Sequence, residues 1–299
     1  DGNPEHKVVE IPAVGSILIS ELDLDHKRPT VPRRVSDRCN VKLTYTDWLW
    51  EEKQGIHRRR RDPKTFRYKL VAFDLDGALI RGERFSWTLV WKYLADRRKL
   101  DPGLQALHMR WYRSQRFRHD SERVKAYEHW CDVVVSLFAE AGLKKADFQE
   151  IAKKAHVTKN LDNTFQVLRN AGVKLAIVSG GIDTLMRVMI PHIDDLVDRI
   201  CINELQFGGR DERVSGIKAT RYDFEGKLLA LEEMCDEFEI TLDEVVFVGD
   251  SFNDEAVVST VGKAIAYSAA PDSDISTMCD VIITEDDLSL ILPHILLSR

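Results

Sequence analysis

Short apolar runs separated by helical stretches organise most of this chain. Leu70-Val71-Ala72-Phe73, Val173 to Val178 and Val245 to Val248 are mostly apolar and of strand length, the pattern of strands buried on both faces of a parallel sheet. Strands are expected near 69–74, 174–178, 198–202, 245–249, 263–267 and 281–283, and helices near 183–193, 227–238 and 254–260. Such alternation predicts an α/β fold, a doubly wound parallel sheet with helices on both faces and ligands at the carboxyl strand ends. From Arg84 to about Asn170 the period is instead almost wholly helical. Trp87, Trp91 and Leu94 share one stripe, and Tyr127, Trp130, Val134 and Phe138 another. Asp147 to Ala155 and Leu161 to Ala171 read as further helices.

Three segments follow. Residues 69–83 and 172–299 form the expected core, 84–171 a helical insert, and 1–68 an amino-terminal segment without assignment. Within the last, Val8 to Leu24 mixes short apolar runs with Pro12 and Gly15, and Val41 to Tyr45 alternates like an exposed strand. His57 to Lys64 is basic and reads as a polar linker, a solvated connector in preference to a contact for an acidic partner or RNA.

Composition narrows the class. A charged content of 31% beside 44% hydrophobic residues describes a soluble globular chain, and a net charge of −6 argues against a general nucleic-acid binder. No apolar run approaches the length of a membrane-spanning helix. Five cysteines, odd in number and without C-x-x-C spacing, favour reduced thiols and a cytoplasmic location over a disulfide scaffold. A homo-oligomer is compatible with all of this.

The chemistry is concentrated at strand ends. Asp74 and Asp76, two apart in an extended segment, face one shared site. The run Val245 to Val248 ends in Gly249-Asp250-Ser251-Phe252-Asn253-Asp254. At ~4 Å and an effective dielectric of ~20, each like-charge pair among such acids costs about 4 kcal/mol. Asp74, Asp76, Asp250 and Asp254 therefore need a cation. Ser179-Gly180-Gly181 is expected to be a polar turn before a helix from Asp183, offering donors to an anion. Lys227, 23 positions before Asp250, would neutralise carboxylate and phosphate charge.

In this order the clusters resemble the four motifs of the haloacid dehalogenase-like superfamily, most nearly its phosphoserine phosphatase-like branch. The resemblance covers roughly residues 69–298. It implies a Rossmann-like core with a small helical cap inserted after the first strand, and a magnesium-dependent phosphomonoesterase. Asp74 matches the nucleophile, Asp76 the general acid/base, and Lys227 the lysine of the third motif. Ser179, Gly180 and Asn253 match residues that meet the phosphate, and Asp250 is expected on Mg2+. Ala78 departs from the pattern, which usually has a small hydroxyl residue there. The implied substrate is a small phosphorylated metabolite, with phosphoserine leading. Glu83, nine positions after Asp74, matches a glutamate that meets the substrate's ammonium group. The arginine that grips its carboxylate has no clear match, because the nearest offset holds His119 between Arg116, Arg118 and Arg123. Those arginines, with Arg113, read as a solvated helix face. The alternatives are a phosphatase for a sugar or nucleotide ester, and a non-catalytic binding homologue docking a partner.

Overall fold

The computed structural model describes residues 68–82, 85–117, 122–271 and 273–296, together with the backbone of 8–11 and 15–18. Glu83, Arg118, His119, the Val41–Tyr45 stretch and the basic run 57–64 lie outside the described residues. Near the amino terminus β1 (Val8–Ile11) and β2 (Gly15–Leu18) pair antiparallel.

The centre is a seven-stranded sheet built from β3 (Leu70–Phe73), β6 (Lys174–Ile182), β7 (Arg199–Gly208), β8 (Arg213–Lys218), β9 (Val245–Gly249), β10 (Lys263–Tyr267) and β11 (Val281–Ile283). Its order is β11-β10-β9-β3-β6-β7-β8. All pairs are parallel except β7 with β8. The central strand β3 sends its crossovers first to β6 on one side and later to β9 on the other, which opens a crevice at its carboxyl end.

Alternate residues go to opposite faces, as the extended backbone requires. Val71, Phe73, Leu175, Ile177, Val246 and Val248 pack beneath the helix Leu161–Asn170 through Leu161, Phe165 and Leu168. Leu70, Ala72, Ala176, Val178, Val245 and Phe247 face the helix Glu225–Glu237 through Leu228, Leu231 and Met234. Burial on both faces is why these strands are apolar throughout rather than alternating.

The chain leaves and re-enters this core through a short antiparallel ribbon, β4 (Ile80–Gly82) against β5 (Ala155–Val157). Between them stand the helices Ser86–Asp96, Pro102–Ser114 and Arg123–Glu140 and the short helix Phe148–Ala152. Asp101 caps the second through the Gly103 N–H at 2.6 Å, with Pro102 at the first helical position. The two expected tryptophan stripes meet here. Trp87, Trp91, Tyr127, Trp130 and Phe138 form one buried cluster, which continues into the core through Ile182, Leu185 and Phe224. The cap is therefore closed on the core. No helix among the described residues is long and apolar enough to cross a membrane.

Four expectations change. Ser179-Gly180-Gly181 is not a turn: β6 runs on to Ile182, with irregular pairing to β7 between Val178 and Ile182. Strand β8 was not expected, because Ser215 and Gly216 interrupt its alternation; it is held by β7 and by backbone bonds to the cap, Val214 N–H to Leu143 O at 2.8 Å and Lys145 N–H to Glu212 O at 2.9 Å. The expected helix from 147 to 155 stops at Ala152, and Ala155 turns into β5. Arg123 is buried and pairs with Glu225, and the partly exposed Arg116 pairs with Glu255 and Asp274, so both tie cap to core, whereas Arg113 is exposed as expected. Because the helix Leu161–Asn170 packs on the sheet, we place it with the core and not with the cap.

Phe165 is fully buried, its ring 4.9 Å from that of Phe73. Phe165→Ala should lower unfolding free energy by about 3–5 kcal/mol, as large-to-small changes at well-packed aromatic sites do. Chemical denaturation checks this, and a loss below about 1 kcal/mol would mean that the helix does not seat on the sheet as described.

Candidate active site

The carboxyl ends of β3, β6 and β9 lie side by side, so Asp74, Asp76, Ser179 and Asp250 meet in one crevice. The Asp74 N–H donates to Val248 O at 2.9 Å, continuing the ladder to the last residue before the site. Its carboxylate accepts from the Leu75 N–H at 2.8 Å and lies 3.1 Å from Lys227 Nζ. Lys227 also donates to Asp254 at 2.6 Å. It is wholly buried near the start of the helix Glu225–Glu237. Burial alone would pull its pKa down, but Asp254, Asp74 and Asp223 outweigh that and hold it above the usual lysine range. It stays an ammonium.

Asp254 returns the favour to its own loop, accepting from the N–H groups of Asp250 and Ser251 at 3.2 and 3.3 Å. Burial pushes its carboxyl up, against the pull of Lys227. Asp74, Asp250 and Asp254 each place an oxygen within 4.8 Å of the others. Three hard oxygen donors at that spacing suit a small divalent cation. Gly77 makes room for one of them: its φ is +83°, and a Cβ there would collide with the Asp250 carboxylate.

Asp76, expected as a fourth ligand, is not brought to that cluster. Its carboxylate accepts from the Ser86 N–H at 2.9 Å and the Ser86 hydroxyl at 2.8 Å, at the amino end of the first cap helix. Desolvation by burial, with Asp74 adding to it, raises its pKa to about 7 despite the bonds from Ser86. A carboxyl near neutrality can give a proton and take it back. Ser86 was not legible as a site residue; a hydroxyl opening an apolar helix reads only as a helix start.

Ser179 is buried, and its oxygen accepts from the Gly181 N–H at 3.0 Å, which leaves its hydroxyl proton free to donate. The neighbouring Gly180 carbonyl receives three donors: Trp87 Nε1 at 2.8 Å, the Tyr127 hydroxyl at 2.7 Å and Asn203 Nδ2 at 2.9 Å. Two of these come from the cap, so cap position and motif geometry are linked. Asn253 is brought to the crevice, but its amide donates to Asp223 at 2.6 Å, and its Oδ1 has no hydrogen-bond partner among the described residues. Asp223, also missed, is buried four residues before Lys227 and accepts from the Tyr112 hydroxyl at 2.7 Å. Burial pushes its carboxyl up, with Lys227, Tyr112 and Asn253 opposing. It was unreadable because its partners lie 30 and 111 residues away. Cys131, Cys201 and Cys235 are buried free thiols outside this site.

A family model described as haloacid dehalogenase-like hydrolase matches residues 68–259. Among curated proteins, the phosphoserine phosphatase SerB2 of Mycobacterium tuberculosis is 25% identical over 208 residues, 68% of this chain and 45% of the relative. A phosphoserine phosphatase of Lactococcus lactis is 28% identical over 132 residues, 44% of this chain and 59% of the relative. The chain thus spans about half the length of these relatives. Among solved structures, a substrate-bound phosphoserine phosphatase complex superposes with a TM-score of 0.58 at 21% identity, covering 77% of this chain and 99% of the other. That likeness is one of fold.

The Asp76 environment has a consequence for stability. Its carboxyl titrates near 3.8 when unfolded and about 7 when folded. Below the lower value it is neutral in both states. As pH rises from there through about 7, the folded protein loses stability, because only the unfolded chain ionises freely. In metal-free protein, Asp76→Asn should therefore be the more stable form at pH 8, by on the order of 4 kcal/mol, with the gain vanishing near pH 4. Urea unfolding in a chelator at both pH values measures this. A variant no more stable than wild type at pH 8 would contradict the burial account.

Proposed function

The chain belongs to the haloacid dehalogenase-like hydrolases, and on that footing we propose that it is a magnesium-dependent phosphomonoesterase acting through an aspartyl-phosphate on Asp74. One observation carries the reading: a buried ammonium bonded to Asp74 and Asp254, with Asp250 beside them, at the crevice of a doubly wound sheet. Phosphoryl transfer needs this combination of a fixed carboxylate nucleophile and concentrated positive charge more than it needs covalent versatility.

The residues divide the work. Asp74, held by Lys227 and the Leu75 N–H, attacks phosphorus, so one difficult displacement becomes two easier ones. Asp76, aimed by Ser86, protonates the departing alkoxide and then takes a proton from the water that hydrolyses the intermediate. Ser179 donates its hydroxyl to a phosphoryl oxygen, and Lys227 stabilises the charge that builds there. Asp74, Asp250 and Asp254 would hold the magnesium ion, whose charge offsets that of the phosphoryl group. The closed cap keeps bulk water from the intermediate. Phosphoserine, named for the relatives, is the first ester to assay; Glu83, expected to meet its ammonium, lies outside the described residues.

Asp74→Asn should abolish turnover of an aryl phosphate while leaving the circular dichroism spectrum unchanged. A folded, fully active variant would end the covalent mechanism.

Asp76→Asn should slow alkyl esters by roughly 10²–10⁴-fold and aryl esters less, since a good leaving group needs little protonation. Steady-state rates on one ester of each kind decide this; equal losses would remove Asp76 from the proton-transfer role.

Thorough chelation should stop turnover, magnesium should restore it, and calcium, with its larger and looser shell, should not. Undiminished rates after chelation would rule out the metal.

A further inference from the structure

The small cavity that holds Asp74, Asp76 and Ser179 is walled on its cap side by the aromatic rings of Phe85, Trp87, Tyr112 and Trp130. The rings form one continuous wall: Phe85 to Tyr112 at 5.6 Å, Tyr112 to Trp130 at 5.4 Å and Trp130 to Trp87 at 5.2 Å between centroids. Besides Asp74, Asp76 and Ser179, two polar side chains line the cavity, Asp223 and Asn253, and each presents an acceptor oxygen. Asp223 is 1% exposed and makes no direct ion pair among the described residues, although the charge of Lys227 acts on it. Asn253 is 5% exposed, and its Oδ1 is buried with no hydrogen-bond partner among the described residues. Gly180 has no side chain where a Cβ would lie 2.7 Å from the Asp223 carboxylate, so the acid approaches the phosphate motif closely.

No Lys, Arg or His is among the described residues lining this cavity. The nearby cations are engaged elsewhere: Lys227 with Asp74 and Asp254, Arg123 with Glu225, Arg116 with Glu255 and Asp274. An aromatic wall attracts a cation through its ring faces. The Asp223 carboxylate already accepts from Tyr112, Asn253 and the Phe224 N–H, but its charge still attracts a cation and repels a second carboxylate, and the Asn253 amide oxygen can take a further donor. With the cap closed the cavity holds about 10 Å³, close to one water molecule, so a larger leaving group requires the cap to lift.

Resting on the phosphomonoesterase reading, we propose that the preferred substrate is the phosphate ester of a small amino alcohol, cationic and without a carboxylate, and that Asp223 is the residue that selects its ammonium group. Phosphoserine brings the same ammonium but adds a carboxylate for which the described wall offers no cation. Neutral esters bring nothing for Asp223 or Asn253 Oδ1.

The test compares kcat/KM of the wild-type protein for phosphoethanolamine, propyl phosphate and phosphoserine, with p-nitrophenyl phosphate as a control for phosphatase activity itself. Phosphoethanolamine should exceed both of the others by about tenfold or more. Asp223→Asn keeps an oxygen for Tyr112 and should bring the phosphoethanolamine-to-propyl ratio toward one. Turnover of p-nitrophenyl phosphate without preference for phosphoethanolamine, or with phosphoserine superior, overturns the substrate class and leaves the phosphatase reading standing. No turnover of any ester overturns both. If Asp223→Asn slows all esters alike, the residue is a cap tether through Tyr112 and not the selector. The wild-type ratios decide the substrate class even if that variant does not fold.

Discussion

Everything at the site depends on one buried ammonium among carboxylates. Lys227 has no exposed surface, and it meets Asp74 and Asp254 at 3.1 and 2.6 Å. Removing a lysine from water costs several kcal/mol, which only close, well-bonded counter-charges repay. The reverse also holds: Asp74, Asp250 and Asp254 lie within 4.8 Å of one another, and without a positive charge they would repel or take up protons. The helix Glu225–Glu237, pinned to one sheet face by Leu228, Leu231 and Met234, sets where that charge stands. Packing therefore fixes the electrostatics.

The cap is held to this core by two kinds of force with different ranges. Trp87, Tyr127 and Trp130 share a buried cluster with Ile182, Leu185 and Phe224, which favours closure without specifying its last ångström. Directional bonds supply the rest. Trp87 and Tyr127 both donate to the Gly180 carbonyl, Tyr112 donates to Asp223, and Ser86 to Asp76. Each of these reaches a core residue that touches the crevice. Closing the cap thus orients a core carboxyl and the glycine of the second motif together, and the ion pairs of Arg116 and Arg123 hold its far side.

Asp223 is a fully enclosed acid lining the same crevice as Asp74 and Asp76. Its backbone neighbour Phe224 has φ +50°, a conformation a bulky residue rarely adopts. The segment is held there from three sides: by Tyr112 of the cap, by Asn253 after β9, and by the first turn of the Lys227 helix. Strain that persists at such a place is maintained by the structure around it.

Most of the sheet, the order of its motifs and the meeting of Asp74 with Asp250 and Asp254 were legible in the sequence alone. Strands buried on both faces must be apolar throughout, and acids placed just past them can only lie at a sheet's carboxyl edge. The tryptophan stripes of the insert were legible for a similar reason, since helical period and burial are local properties. What tertiary structure alone decided was the set of partners. The sequence grouped Asp76 with Asp74, Asp250 and Asp254 as expected cation ligands, yet its carboxylate is bonded to Ser86 while those three cluster without it. Ser179 to Gly181 had the composition of a turn, but pairing with β7 draws them into β6. Arg123 had the setting of a solvated arginine until Glu225, 102 residues away, buried it. Asp223 was one acid among many until Tyr112 and Asn253 closed around it. Periodicity records what a residue does with its near neighbours, whereas burial of a charge depends on groups that meet only after the chain has folded.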